Sequence, residues 1–87
     1  MKIVRVKSQV SSKRLAGVII RDLLEDGTVD VQAVGAAAVN QGLKAIILAT
    51  ESQPLSNELC SIVPRFEDCL IGSEHKTGIS ILVKRQN

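Results

Sequence analysis

Aromatic side chains are almost absent from this sequence, since Phe66 is the single ring and there is neither tryptophan nor tyrosine. Proteins that grip single-stranded nucleic acid usually stack bases on aromatic rings, so base stacking is excluded as a main binding mode. Apolar runs of about 18 residues are also missing, which excludes a transmembrane helix and a membrane partner. The charged segment Met1–Arg5 lacks the pattern of a secretion signal, and we expect a cytosolic protein.

Cysteine and histidine are too few for a metal site. The two cysteines, Cys60 and Cys69, lack the C-x-x-C spacing, and His75 is the only histidine. A catalytic nucleophile needs a base, and the base needs an orienting group, but no pattern places these three residues together. We predict a packed Cys60, a solvated His75, and a protein that is neither an enzyme nor the carrier of a cofactor or metal.

The composition is that of one folded domain, residues 1–87. Apolar residues make up 45% of the chain and charged residues 23%, which is too apolar for a disordered chain. A core of this size leaves little stability margin, so burial of apolar surface in an oligomer interface is expected.

The first strand and the first helix have clear periodicities. Val4 and Val6 alternate with Ile3, Arg5 and Lys7, the pattern of a strand with one buried face. Helical spacing follows from Ser12, with an apolar stripe of Leu15, Val18, Ile19 and Leu23. The other side of this helix carries mostly Arg14, Arg21, Asp22 and Glu25. Ser11 or Ser12 is the expected N-cap, and Gly27 suits a left-handed C-cap.

The remaining elements are a strand, a helix and two strands. The second strand has Val29, Val31 and Ala33 alternating with Asp30, Gln32 and Val34. The second helix has a predicted stripe of Val39, Leu43, Ile46 and Ile47, with Asn40, Gln41, Lys44 and Glu51 outside it. The third strand, with Leu59, Ser61 and Val63, is predicted to end near Pro64, and residues 65–76 form a long connection. The fourth strand alternates at Ile79, Ile81 and Val83.

This order, β-α-β-α-β-β, predicts an α/β (α+β) two-layer sandwich. Strands one and two should be parallel because a helix joins them. Strands three and four should form a long antiparallel hairpin, and both helices should cover one face of the four-stranded sheet.

The junction at Gly35 and Ala36 is a candidate anion-binding or interface site, together with Asn40 and Gln41. Phosphate sites often form where a strand leads into a helix, although neither a dinucleotide fingerprint nor a P-loop is present. The small residues suit an approaching anion or a closely packed neighbouring backbone, and the sequence leaves both alternatives open.

Basic residues are concentrated at the start of the chain. Residues 1–21 contain six of the 11 basic side chains and no acidic one, although the whole chain has a net charge of only +2. Lys13 and Arg14 occupy the first turn of a helix, where the dipole disfavours cations, and such violations are typical of functional positions. We predict a phosphate site there, extended by Arg5 and Lys7 on the sheet face opposite the helices. The predicted nucleic-acid-binding set is completed by Lys44, Arg65 and Lys76.

The segment Val31–Ala45, and above all its run Gly-Ala-x-Ala-x-Asn-Gln, resembles the signature of the stage V sporulation protein S family. That family typically shows Ile-Gln-Ala-Ile-Gly-Ala-Gly-Ala-Leu-Asn-Gln here. Weaker similarity extends over the chain, at Ala16-Gly17, at Pro64-Arg65-Phe66-Glu67-Asp68 and at Thr77-Gly78-Ile79.

The resemblance implies a bacterial cytosolic protein of sporulation or a related developmental programme. It also implies a fold similar to that of Alba, the archaeal chromatin protein, with sheet order 1-2-4-3, homodimers, and DNA or RNA bound by basic loops and an extended hairpin. On this basis residues 65–76 correspond to the hairpin arm. Three functions follow as hypotheses: a dimeric, sequence-independent nucleic-acid-binding regulator, a protein–protein interaction module, and an enzyme or small-ligand sensor that uses the Gly35 junction.

Overall fold

The elements follow the predicted order in the computed structural model, which describes residues 1–86. They are β1 (Lys2–Val6), α1 (Ser12–Asp26), β2 (Thr28–Ala33), α2 (Ala36–Thr50), a 3₁₀ turn (Leu55–Asn57), β3 (Cys60–Ile71) and β4 (Glu74–Arg85). The sheet order is β1-β2-β4-β3, with β1 and β2 parallel and β4 antiparallel to both β2 and β3. This confirms the predicted two-layer architecture and the order 1-2-4-3.

Both helices lie on one face of the sheet. The Lys2 amine of β1 reaches Glu25 of α1 at 2.7 Å. In α2, a Cβ at Gly42 would lie 3.4 Å from the Val31 side chain and 3.5 Å from that of Val6. Alternate residues of a strand share a face, so Lys2 and Val6 lie on the same face of β1. Their register partners in β2 lie on that face of the sheet as well. The contact of Lys2 with α1 and that of Val6 with α2 therefore place both helices on this one face.

The ends of α1 lie where the sequence predicts them. The backbone N–H of Arg14 donates to Ser11 Oγ at 3.3 Å, which makes Ser11 the N-cap. At the other end Gly27 has φ of 77° and donates its N–H to the Leu23 carbonyl, a left-handed C-cap that favours glycine.

The predicted apolar stripe of α2 is wrong at two of its positions. Leu43 and Ile47 are 42% and 51% exposed, while the buried face consists mainly of small residues: Ala38, Gly42, Ala45, Ile46 and Ala49. Small side chains let the helix backbone approach the sheet closely, and of the bulky side chains of α2 only Ile46 is buried, while Leu43, Ile47 and Leu48 are exposed.

The predicted end of β3 at Pro64 and the predicted long connection over residues 65–76 are also wrong. β3 continues to Ile71, and only Gly72 and Ser73 separate it from β4. Proline is tolerated because β3 is an edge strand, where a missing N–H breaks no ladder. β2 pairs with β4 only from Ile79 to Lys84, so residues 67–78 project beyond the sheet, and we call them the arm.

A buried polar network lies across the sheet. Asp30, Gln32 and Ser80 are 3%, 7% and 0% exposed. The Ser80 hydroxyl donates to one Asp30 carboxylate oxygen, and Gln32 Nε2 donates to the other at 3.1 Å. Arg65 Nη2 lies 3.9 Å from the same carboxylate. The network therefore connects β2, β3 and β4 on the face away from the helices.

Candidate nucleic-acid interface

The acid-free first quarter of the chain divides between two ends of the molecule. At one end, Lys2 Nζ lies 2.7 Å from Glu25 Oε1 and 3.6 Å from Asp22 Oδ1. Arg21 Nη2 lies 3.3 Å from the same Asp22 oxygen. Two of the six basic side chains are therefore compensated by acidic residues of α1.

Asp22 corrects the prediction that this residue lies on the solvent side of α1, because it is 1% exposed. Lys2 and Arg21 cover its carboxylate from β1 and from the preceding helical position. A hydrogen bond from Lys2 lowers the pKa of Glu25, and the same bond raises the pKa of Lys2. These two cations are therefore engaged by acidic side chains of α1.

The other four basic side chains of residues 1–21 are Arg5, Lys7, Lys13 and Arg14. β1 ends at Val6 and α1 begins at Ser12, so all four flank the turn at the carboxyl end of β1. All are exposed, and none makes a side-chain hydrogen bond or an ion pair within residues 1–86. We call these four residues the basic end.

The turn of the basic end is tied to α2. Gln41 Nε2 donates to the Val10 carbonyl at 2.7 Å, which holds residues 7–11 against the first half of the helix. Gln41, predicted for anion binding or an interface, therefore has a structural bond that positions Lys7. Asn40, its neighbour in the prediction, is exposed.

The first turn of α1 provides fewer open amides than the sequence suggests. The Arg14 N–H is committed to Ser11 Oγ and is not open to a phosphate. The first turn nevertheless contains no acidic residue, so the side chains of Lys13 and Arg14 face no local competitor.

Gly35 is required by backbone conformation and not by close packing. It has φ of 91°, and a Cβ added to it would meet no atom of residues 1–86 within 4 Å. Ala36 and Ala37 are exposed and no side chain caps the helix. About two turns later, a Cβ at Gly42 would be in ordinary contact with the side chains of Val31 and Val6.

The three remaining residues of the predicted nucleic-acid-binding set lie in different parts of the fold. Lys44 is exposed on α2 and Lys76 on the arm, and neither has an ion pair within residues 1–86. Arg65 is partly engaged by the buried Asp30. The structure therefore does not bring these residues to the basic end as one cluster.

The arm itself is acidic and apolar. It carries Glu67, Asp68 and Glu74 against Lys76 as its single lysine or arginine, and His75 Nδ1 lies 3.1 Å from Asp68 Oδ2. Exposed apolar side chains accompany these charges: Leu70 and Ile71, with Phe66 just before the arm. An acidic arm is repelled by a phosphate backbone, so the arm is a poor nucleic-acid contact.

Candidate metal ligands and thiols both occur in the part of the chain that the structure describes. It contains no cluster of three or more histidine, cysteine, aspartate or glutamate residues suited to a metal ion. Burial raises the pKa of the Cys60 thiol, which disfavours the reactive thiolate. Within residues 1–86, neither helix has the length and apolar character needed to cross a membrane.

Comparison with family models identifies the family of this chain. The family model of stage V sporulation protein S (SpoVS) matches residues 2–86, essentially the whole chain. The chain belongs to the SpoVS family. The protein therefore has a sporulation-related role in a regulatory family, and the SpoVS domain includes the basic end, the buried polar network and the arm.

Sequence reasoning missed the partners of Arg65 in this SpoVS domain. Arg5, Gln32, Ser80 and Arg65 lie directly opposite one another across the four strands. The signal was a polar residue at the same register position of every strand, and it is visible only when the pairing of β2 with β4 is known.

Proposed function

We propose that this SpoVS protein regulates development by binding nucleic acid without sequence preference. The observation that carries the proposal is the basic end, where four exposed cations lack any acidic partner within residues 1–86. Lysine and arginine side chains that contact phosphates release counterions, which drives sequence-independent binding. The single exposed ring, Phe66, lies on β3 and not among these cations, so contacts to the backbone are favoured over base stacking.

Lys13 and Arg14 provide the first test of this interface. We expect the double variant Lys13→Ala/Arg14→Ala to bind circular duplex DNA more weakly, with the salt dependence of log K reduced by about one to two units. The loss should be similar for unrelated sequences, since phosphates carry no sequence information. A filter-binding titration over a range of salt concentrations measures both quantities for DNA and RNA.

Lys84→Ala is the matched control. Lys84 is also exposed and without an ion pair in the described residues, but its register partner is Thr28, at the opposite end of the sheet. Equal losses for Lys13→Ala, Arg14→Ala and Lys84→Ala would show that only net charge matters. Unchanged affinity of the double variant would eliminate the basic end as the interface.

The proposed regulator is a homodimer that packs through α2. Leu43 and Ile47 are one helical turn apart and exposed, and half-buried Val39 continues the same stripe. A stripe of this kind can pack against its own copy about a two-fold axis, where each subunit supplies the same patch. Asn40 borders this stripe, and we include it in the proposed interface.

Reversing the polarity of the stripe tests the dimer. We expect the wild-type protein to have twice its chain mass by size-exclusion chromatography with light scattering, and Leu43→Lys/Ile47→Lys to be a folded monomer. Leu24→Lys, an exposed leucine on α1, is the control and should remain dimeric. A monomeric wild type at micromolar concentration, or a dimeric double variant, would contradict the proposal.

A protein–protein interaction module is the second candidate function. It is favoured by the exposed apolar side chains of Phe66 and Leu70, which share one face of β3 with Asp68 between them and are 79% and 53% exposed. Exposed apolar clusters with a polar rim mark protein-binding surfaces. Absence of any complex with duplex DNA or RNA at low salt, together with a stable protein partner lost in Phe66→Ser, would favour this candidate.

A further inference from the structure

A cleft of about 430 Å³ opens between the basic end and the arm. It lies at the carboxyl ends of the parallel strands β1 and β2, where ligands bind in many sheets with parallel strands. Its lining includes Arg5, Lys7 and Ser8 from the first strand and turn, Gln32 and Val34 from the second strand and its end, and Ile71 from the arm. The volume is that of a small-molecule site.

The walls of the cleft are fixed by close contacts. A Cβ at Gly78 would lie 2.7 Å from the Ala33 carbonyl oxygen, so the arm backbone rests directly on the end of β2. The opposite wall is held by the bond from Gln41 to Val10. The cleft is therefore preformed and does not depend on closure around a ligand.

The polar floor of the cleft has one unused acceptor. Gln32 is only 7% exposed, and its Nε2 donates to Asp30, whose carboxylate also accepts from Ser80. The Gln32 carbonyl oxygen makes no hydrogen bond within residues 1–86, although no fully buried side-chain atom there is left unpaired. This oxygen therefore faces accessible space, oriented by the network behind it, and can accept from a ligand hydroxyl.

The cation pair at the mouth complements this acceptor. Arg5 lies directly opposite Gln32 in the β1–β2 register, and Lys7 follows two residues later. Neither has an acidic partner in the described residues, and no acidic side chain lines the cleft. Two cations suit the double negative charge of a phosphate monoester, and apolar Val34 and Ile71 offer contacts for the rest of the molecule.

We propose that the cleft binds a sugar-phosphate or nucleoside monophosphate, with its phosphate at Arg5 and Lys7 and a sugar hydroxyl donating to Gln32. The same chemistry is present in a free nucleotide and in the 5′-phosphorylated terminal nucleotide of a strand. The site shares two side chains with the basic end, but it does not require that internal stretches of nucleic acid bind there.

The test uses isothermal titration calorimetry with the full chain and named probes: adenosine 5′-monophosphate, ribose 5-phosphate and inorganic phosphate. We expect saturable binding of the first two, with inorganic phosphate at least tenfold weaker. Arg5→Met and Gln32→Met should each weaken binding by about ten- to hundredfold, because a hydrogen bond to a charged or buried group is lost. Lys84→Ala should bind as the wild type does.

A second variant keeps the test independent of the buried network. Ser8 is exposed at the cleft mouth, so Ser8→Trp should block entry without removing a buried contact. Its unfolding midpoint should match that of the wild type while ligand binding is lost. Full binding by a folded Ser8→Trp, or equal affinity for inorganic phosphate and ribose 5-phosphate, would refute the proposal.

Two further measurements distinguish the possible sources of the phosphate, and they also distinguish this proposal from that of the nucleic-acid interface. Tighter binding of a 5′-phosphorylated oligonucleotide than of its 5′-hydroxyl counterpart supports the proposal with a strand end as the ligand. Binding of the free monophosphate supports the proposal with a metabolite as the ligand. If neither the free monophosphate nor the 5′-phosphorylated oligonucleotide binds, the proposal is overturned. Lys13→Ala/Arg14→Ala should retain the monophosphate while losing circular DNA, so each proposal can fail alone.

Discussion

Asp30→Ala should destabilise the protein by about 3–5 kcal/mol, because two buried donors lose the carboxylate that accepts from them. The carboxylate accepts hydrogen bonds from Ser80 and Gln32 and lies near Arg65. Its loss leaves the fully buried Ser80 hydroxyl and the Gln32 amide without their acceptor, and each unsatisfied group costs about 1–3 kcal/mol. For a domain of this size the midpoint of thermal unfolding should fall by more than about 12 °C.

Urea unfolding followed by circular dichroism measures this loss. Asp26→Ala is the matched control, because Asp26 is exposed and its side chain makes no hydrogen bond or ion pair within residues 1–86. A change below about 0.5 kcal/mol is expected there. An equally small change for Asp30→Ala would mean that the network across β2, β3 and β4 contributes little to the fold.

Gly78→Ala should be the most damaging of the alanine substitutions at glycine. The new Cβ would lie 2.7 Å from the Ala33 carbonyl oxygen, 2.9 Å from Val34 Cγ2 and 3.0 Å from Cys69 Sγ. The first of these atoms is backbone, so relief requires movement of the arm relative to β2. We expect a cost toward the upper end of the range of about 1–3 kcal/mol for overpacking.

Gly17→Ala should act in the opposite direction. Gly17 is exposed within α1, and a Cβ there would meet no atom of residues 1–86 within 4 Å. The substitution should raise the free energy of unfolding by about 0.5–1 kcal/mol, because alanine loses less backbone entropy in a helix.

Hydrogen exchange distinguishes Gly78→Ala from Gly17→Ala further, since only Gly78→Ala should accelerate exchange across the arm. Unaltered exchange and stability in that variant would show that the arm is not held by this contact.

The order of elements and both ends of α1 could be predicted from sequence because their signals are local. Ser11 caps through its own side chain, and Gly27 needs no distant residue to adopt a positive φ. The α2 stripe could not be predicted in the same way. Leu43 and Ile47 satisfy helical periodicity, but the sheet accepts the alanine and glycine face because that face permits closer packing.

The candidate site required pairing information that periodicity does not contain. The six cations of residues 1–21 look equivalent in sequence, yet Lys2 and Arg21 are compensated by Asp22 and Glu25 while the basic end is not. Similarly, Gln32 becomes part of a cleft only because the arm returns over the end of β2. Both distinctions follow from the β1–β2 and β2–β4 registers.

Pro64 has a consequence for the solubility of this protein. An edge strand of 12 residues, with apolar side chains exposed along it, would ordinarily template the growth of fibrils. Proline in an edge strand directs its missing N–H outward, so the free margin of β3 lacks a donor near its middle. An incoming chain cannot form an unbroken ladder there, and the apolar side chains of β3 can remain exposed without seeding aggregation.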